Sequence, residues 1–288
     1  MLDQLRHFLL IAEHGTFTAA SVRAHLSQPA LTASIRRLEE IYDARLFDRG
    51  RTGARLTQAG DALLPHARAA VVAVDEGGRA VRALESLEAG EVRLGGGSTA
   101  CTYLLPPVLS AFRRKHPRVA LRLRELPEER ALDAFDRGEL DFAIVGGKRG
   151  DLFRKEELLL VSAPGVDTSD RHFITSPPGS ATRTALDRHF PGADIVMEIS
   201  GISAVKGSVR AGLGVALITR SAVATDLGLG RLVLIPDPRT PIARPLRLLH
   251  RGVDRLSAAA RRLRLMLLED APHKASLRKA PSDGSAGR

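Results

Sequence analysis

Residues 16–60 read TFTAASVRAHLSQPALTASIRRLEEIYDARLFDRGRTGARLTQAG, and this stretch decides how the rest of the chain is read. Leu26, Leu31, Ile35 and Leu38 recur at roughly helical spacing, which puts them on one buried stripe. Ala30, Thr32, Ala33, Ser34, Arg36 and Arg37 then lie mostly on the other faces. Ser27 is a good N-cap and Pro29 fits a first helical turn, so a helix is expected to run from here to about Tyr42. Its exposed face is small, polar and basic. Small side chains let a helix sink into a major groove, amides and hydroxyls reach base edges, and arginines pair with phosphate or guanine. The candidate DNA contacts on this helix are Gln28, Pro29, Thr32, Ala33, Ser34, Arg36 and Arg37.

Working outward, Leu2, Leu5, Phe8, Leu9 and Ala12 predict an amphipathic helix, and a second short helix is expected after the Thr16–Thr18 caps. On the other side, Leu46–Phe47 and Leu56 bracket a glycine-containing turn between two short strands. That hairpin presents Arg49, Arg51 and Arg55 and reads as a wing on the phosphate backbone. From Thr57 onward, Leu63, Leu64, Ala67, Ala70, Val71, Val74, Val81, Leu84 and Leu87 continue at about 3.5-residue spacing. One long helix is expected there, with Gly77-Gly78 weakening or bending it and a second copy of the same helix covering its stripe.

After Gly90 the pattern changes. Short strand-like runs at 92–94, 119–123, 140–145 and 158–162 alternate with helical patterns at 104–116 and 128–137, which predicts a parallel α/β sheet. A second set follows from His172 to Ile235, then a strand at 245–250 and a helix at 256–268. Four strand-to-helix turns collect the polar candidates for a ligand: Ser98 and Thr99; Gly146 and Lys148; Ser200 and Ile202; and Thr219. Ligands of open α/β sheets sit outside the carboxyl ends of strands, and helix N-termini attract anions, so a small anionic metabolite is the expected ligand. The last residues, 271–288, lack large apolar side chains apart from Leu277 and are expected to form a disordered basic tail.

Composition narrows the classes. A chain of 288 residues with 44% hydrophobic content is long enough for more than one globular core. The single cysteine, Cys101, excludes an internal disulfide framework and the usual zinc clusters, and a reducing cytoplasm is expected. No apolar run approaches the ~18 residues of a membrane span. The net charge of +10 says little about the head: residues 1–60 hold eight Arg against six acids, whereas residues 241–288 hold eleven Lys and Arg against four. GGGS at 95–98 lacks the ending of a phosphate loop, and nine scattered His show no metal spacing, so neither an enzyme nor a cofactor is expected. A purely architectural DNA-binding protein would have no use for the α/β portion of about 180 residues.

SQPALTASIRRLEE followed by LFDRGRTGARLTQAG resembles the LysR-type family of bacterial transcription regulators, and the resemblance extends over about residues 1–270. It implies a winged helix-turn-helix at 1–57, a dimerising linker helix at 58–89 and a two-lobed effector domain like the periplasmic binding proteins at 90–270. Lobe I would comprise 90–162 and 245–270, with lobe II at 163–244. It further implies a homotetramer on an interrupted inverted repeat, with RNA polymerase as a partner. Gly179-Ser180-Ala181-Thr182-Arg183 is similar to the family's segment that opens the second lobe. Two departures stand out. Ala33 and Ser34 occupy positions where many members carry long side chains, shifting base readout toward Gln28, Thr32 and Arg36. The connection from Ser162 to His172 is also shorter than usual.

Overall fold

The computed structural model describes residues 1–50, 53–84 and 90–269. Its head consists of α1 (Leu2–His14), α2 (Phe17–Ala24), α3 (Gln28–Tyr42), β1 (Phe47–Gly50) and β2 (Gly53–Leu56). Thr16 and Ser27 cap α2 and α3, accepting the Ala19 and Ala30 N–H groups at 3.1 and 3.3 Å. Leu31, Ile35 and Leu38 are fully buried, and Phe47 from the hairpin closes the core against Phe8 and Phe17 at ring-centroid distances of 5.2 and 5.9 Å. Leu26 departs from expectation: it is 37% exposed. The helix that begins at Phe17 ends at Ala24, and the left-handed His25 (φ 53°) breaks the period before Leu26 is reached.

The hairpin is pinned to the head both beside its turn and at its base. Ala54 N–H donates to Gly15 O at 2.8 Å, and a Cβ on Gly53 would stand 2.6 Å from that same oxygen, so no larger residue fits there. Glu39 of α3 accepts the Leu46 N–H at 2.8 Å. The Arg49 side chain and Arg51 lie outside the described residues.

The next helix, α4 (Gln58–Leu84), is continuous for 27 residues and runs through Gly77-Gly78. Glycine costs helix stability without forbidding helical dihedrals. Ala67 is buried against the head and Val72 against the turn at Gly138, where the left-handed glycine (φ 77°) brings its backbone so close that a Cβ would lie 2.7 Å from Val72. Two consecutive carboxylates on α4 face different neighbours. Asp75 pairs with Arg6 of α1 at 2.7 Å, and Glu76 meets Arg251 at 3.3 Å. Val74 and Val81 remain 51% and 61% exposed. The expected end of this helix near Leu87 falls outside the described residues.

The remaining elements are β3 (Gly90–Gly96), a π-helical turn (Ala100–Leu104), α5 (Leu105–Lys115), β4 (Val119–Glu125), α6 (Glu128–Asp136), β5 (Phe142–Val145) and β6 (Asp151–Ser162). They continue with β7 (His172–Thr175), α7 (Ala181–His189), β8 (Asp194–Glu198), α8 (Ile202–Arg210), β9 (Ala216–Thr219) and α9 (Arg220–Gly228). Last come β10 (Val233–Leu234), β11 (Ile242–Leu249), a 3-10 turn (Val253–Arg255) and α10 (Ala258–Glu269). Strands β4, β3 and β5 are parallel, as expected, but the sheet as a whole is mixed. β11 runs antiparallel to both β5 and β6, and β6 in turn pairs antiparallel with β9 and β10. Alternation of strands and helices in a sequence carries no strand direction for pairs that meet across long separations.

The long strand β6 leaves the first lobe and enters the second, and β11 returns beside it, with Leu248 opposite Asp151 and Ile242 opposite Leu158. Helices α5 and α10 cover one core of the first lobe, built around Val92, Leu94, Phe112, Phe142 and Leu263. The second lobe packs α8 and α9 over Leu159, Val161 and Ile218, and α7 over Phe173 and Leu217. Residues 271–288, the expected tail, lie outside the described residues. Because Ile35 is completely buried at the centre of the head, Ile35→Ala is expected to cost about 2–5 kcal/mol. Chemical denaturation of the full chain should show this loss in a head transition, with the two-lobed portion melting as in the wild type.

Candidate functional site

Two surfaces collect the candidate residues. On α3, Gln28, Pro29, Ala33, Arg36 and Arg37 are exposed and Thr32 is half-buried. Ser34 is not on that face: it is 8% exposed, and its hydroxyl meets His7 Nδ1 at 2.7 Å. Burial lowers the His7 pKa, with Asp3 opposing, so the ring favours its neutral form and links α1 to α3. Arg55 projects from the wing strand into solvent. Among the described residues, Arg36, Arg37 and Arg55 have no carboxylate within ion-pair distance, which leaves three guanidiniums available to an external anion.

The second surface is a cleft of about 430 Å³ between the lobes, within the range of small-molecule sites. Ser98, Thr99, Ser200 and Ile202 line it; Gly146, Lys148 and Thr219 do not. Thr219 is fully buried behind the lining, its hydroxyl 3.3 Å from that of Thr99, so the pair spans the two lobes. Gly146 backs onto the carboxylate of Glu128, which a Cβ would approach to 3.3 Å, and Lys148 is exposed outside. The Ser98 hydroxyl donates to Glu125. Gly201 (φ 88°) opens α8 without a side-chain cap, so the N–H groups of that helix face the cleft unclaimed by a side chain. Ser180 caps α7 at the neighbouring rim, accepting the Arg183 N–H at 3.1 Å.

Three groups in the lining escaped the sequence reading. Thr175, the last residue of β7, is 3% exposed, and its hydroxyl has no hydrogen-bond partner among the described residues. Its place at a strand's carboxyl end was a usable signal; its missing partner was not. Arg244 of β11 is half-buried, its guanidinium pushed down by burial while Glu128 and Glu156 oppose the shift, and it too has no carboxylate within ion-pair distance among the described residues. The acids Glu125, Glu128 and Glu129 form the third group.

Cys101 sits behind the same turn, with Sγ 3.3 Å from Gly96 O. Burial, seconded by Glu125, raises its pKa to about 11, which keeps it a thiol rather than a reactive thiolate. Among the described residues no cluster of three metal-ligating side chains occurs, and no helix is long and apolar enough to cross a membrane.

Comparison with known proteins bears on both surfaces. Residues 2–61 match the family described as bacterial regulatory helix-turn-helix protein, lysR family, and residues 85–272 match the LysR substrate binding domain. A probable RuBisCO transcriptional regulator of Nostoc sp. is 33% identical over 272 residues, which span 85% of this chain and 81% of that protein. The HTH-type transcriptional regulator CfxR of Cupriavidus necator is 31% identical over 290 residues, 93% of this chain and 91% of CfxR. Full-length LysG of Corynebacterium glutamicum with bound effector Arg superposes with a TM-score of 0.67 at 20% identity, covering 93% of this chain and 97% of LysG. Vibrio fischeri DarR in complex with DNA gives 0.56 at 20% identity, covering 93% and 98%. At that identity the two structures speak for the fold alone.

The unpartnered hydroxyl yields a test. A buried polar group without a partner costs about 1–3 kcal/mol, so Thr175→Val should raise the melting temperature of the ligand-free protein. If the cleft is the ligand site, the same change should weaken ligand-induced stabilisation; a lowered melting temperature in the ligand-free state would mean that the hydroxyl is satisfied.

Proposed function

We propose how a chain that belongs to the LysR family of bacterial regulatory helix-turn-helix proteins, as this one does, divides its work between head and cleft. Membership makes it a DNA-binding transcription regulator with an effector-binding domain. In the reading we favour, α3 enters the major groove, with Gln28, Pro29, Thr32, Ala33 and Arg36 near base edges and Arg37 and the wing arginines 49, 51 and 55 on phosphates. Ser34 acts from behind, holding α3 to α1 through His7.

Heads work in pairs on an interrupted inverted repeat, because a two-fold protein is matched by a two-fold site. Val74 and Val81, exposed along one continuous helix, support α4 as the contact with a second copy, and a tetramer that engages RNA polymerase is the assembly this reading carries. The effector is a small metabolite with an anionic group, held between the lobes in the cytoplasm. The observation that carries this part is the buried, unpartnered Thr175 hydroxyl beside the uncapped N-terminus of α8. Binding across both lobes favours the closed arrangement by the ligand's differential affinity, typically worth about 1–3 kcal/mol of coupling.

Two measurements test this. Arg55→Ala should weaken binding to all sequences and lower the salt slope by about 1, whereas Gln28→Ala should change sequence preference; equal losses with unchanged preference would sink that division. Val74→Glu, at a position already open to solvent, should leave the fold intact and dissociate the oligomer in sedimentation, with loss of specific affinity. An unchanged sedimentation profile would move the dimer contact elsewhere.

A further inference from the structure

The two walls of the cleft differ in charge. All five ionisable side chains among its described lining residues, Glu125, Glu128, Glu129, Arg130 and Arg244, belong to the first lobe or to β11. The second-lobe wall, from Thr175 through Thr182 and from Ser200 through Val205, carries none. That wall instead presents the N-termini of α7 and α8, the partially positive ends of their peptide dipoles, together with the Thr175 hydroxyl that has no partner. Glu128 and Glu129 are in no ion pair among the described residues, and Glu128 lies half-buried beside Gly146, where an added Cβ would stand 3.3 Å from both of its oxygens.

Resting on the proposed cleft reading, we infer that the effector is dipolar. An ammonium or similar cationic group is held by Glu128 and Glu129, and a carboxylate is held at the α8 N-terminus beside Thr175, as in a free amino acid. A purely anionic ligand would face three carboxylates against two guanidiniums on the opposite wall, whereas a dipolar one satisfies both walls at once. Spanning the gap, it would draw the lobes together by attraction at each end. Arg244, half-buried on the same wall as the acids, then serves whatever second acidic group the side chain of such a ligand carries.

The test uses the full-length protein, thermal melts and calorimetric titration with each of the twenty L-amino acids. For the amino acid that stabilises most, two truncated forms follow: its des-amino carboxylate and its decarboxylated amine. Each truncated form should lose at least tenfold in affinity. Glu128→Gln and Glu129→Gln should weaken the amino acid by at least tenfold while leaving the des-amino carboxylate bound at least as tightly as by the wild type. Both acids sit in the first turn of α6, where they also suit the helix dipole, so a lower melting temperature of the variants counts for nothing here; the split between the two ligands decides. A des-amino carboxylate that binds the wild type as tightly as its amino acid, and both variants alike, overturns the dipolar effector and leaves an anionic one standing. Absence of stabilisation by all twenty amino acids and by a panel of simple carboxylates and phosphates overturns the cleft reading as well.

Discussion

The pairing of β6 with β11 is the constraint on which the two-lobed portion depends. Seven registered residue pairs run from Asp151 opposite Leu248 to Leu158 opposite Ile242, with a shift between Leu246 and Arg247. Both lobes grow from this ladder: β5 and the parallel strands flank β11 at one end, and β9 and β10 flank β6 at the other. The cleft lies where these crossing strands expose one face between the lobes; Arg244 of β11 lines it, and its cross-strand neighbour Glu156, on the same face, reaches the N-terminus of α9. Glu156 accepts the Ser221 hydroxyl at 3.0 Å, and burial nonetheless raises its pKa, so this part of the ladder is held by a carboxylate that has lost much of its water.

The head was legible because its signals are local. Caps, a 3.6-residue stripe and a glycine turn act within a few residues, and the structure puts α3 where Ser27 and the apolar stripe required. Its two surprises come from the same rules applied more strictly. Ser34 falls at the same spacing as Leu31, Ile35 and Leu38, so periodicity alone places it inside; its polarity argued otherwise, and His7 supplies the partner that makes burial tolerable. Leu26 lies beyond a left-handed residue, where helical spacing no longer applies.

In the two-lobed portion, the existence of strands and helices was readable but the direction of β6, β9 and β11 was not, since their partners are far away in sequence. The same separation hid most of the site. Ser98, Thr99, Ser200 and Ile202 are found at strand ends and helix starts, where ligand contacts are expected on general grounds. Arg244 is one polar residue in an alternating strand, and only the folded arrangement brings it into the cleft. Thr219 had the right kind of position, yet the Thr99 hydroxyl claims it.

Asp75 and Glu76 follow one another on α4, and successive helical side chains diverge by about 100°. One reaches the head through Arg6, the other the first lobe through Arg251, whose guanidinium also donates to Leu140 O at 3.0 Å and lies 4.3 Å from the Phe135 ring centroid. With Ala67 and Val72 buried along the same helix, the head, α4 and the first lobe share one mechanical block. Among the described residues, the second lobe joins that block through the crossing strands and the contacts around the cleft. In the assembly proposed above, a rotation of the second lobe leaves its own head in place and reaches the DNA only through a neighbouring chain: the single subunit is a hinge without a lever, and assembly supplies the lever.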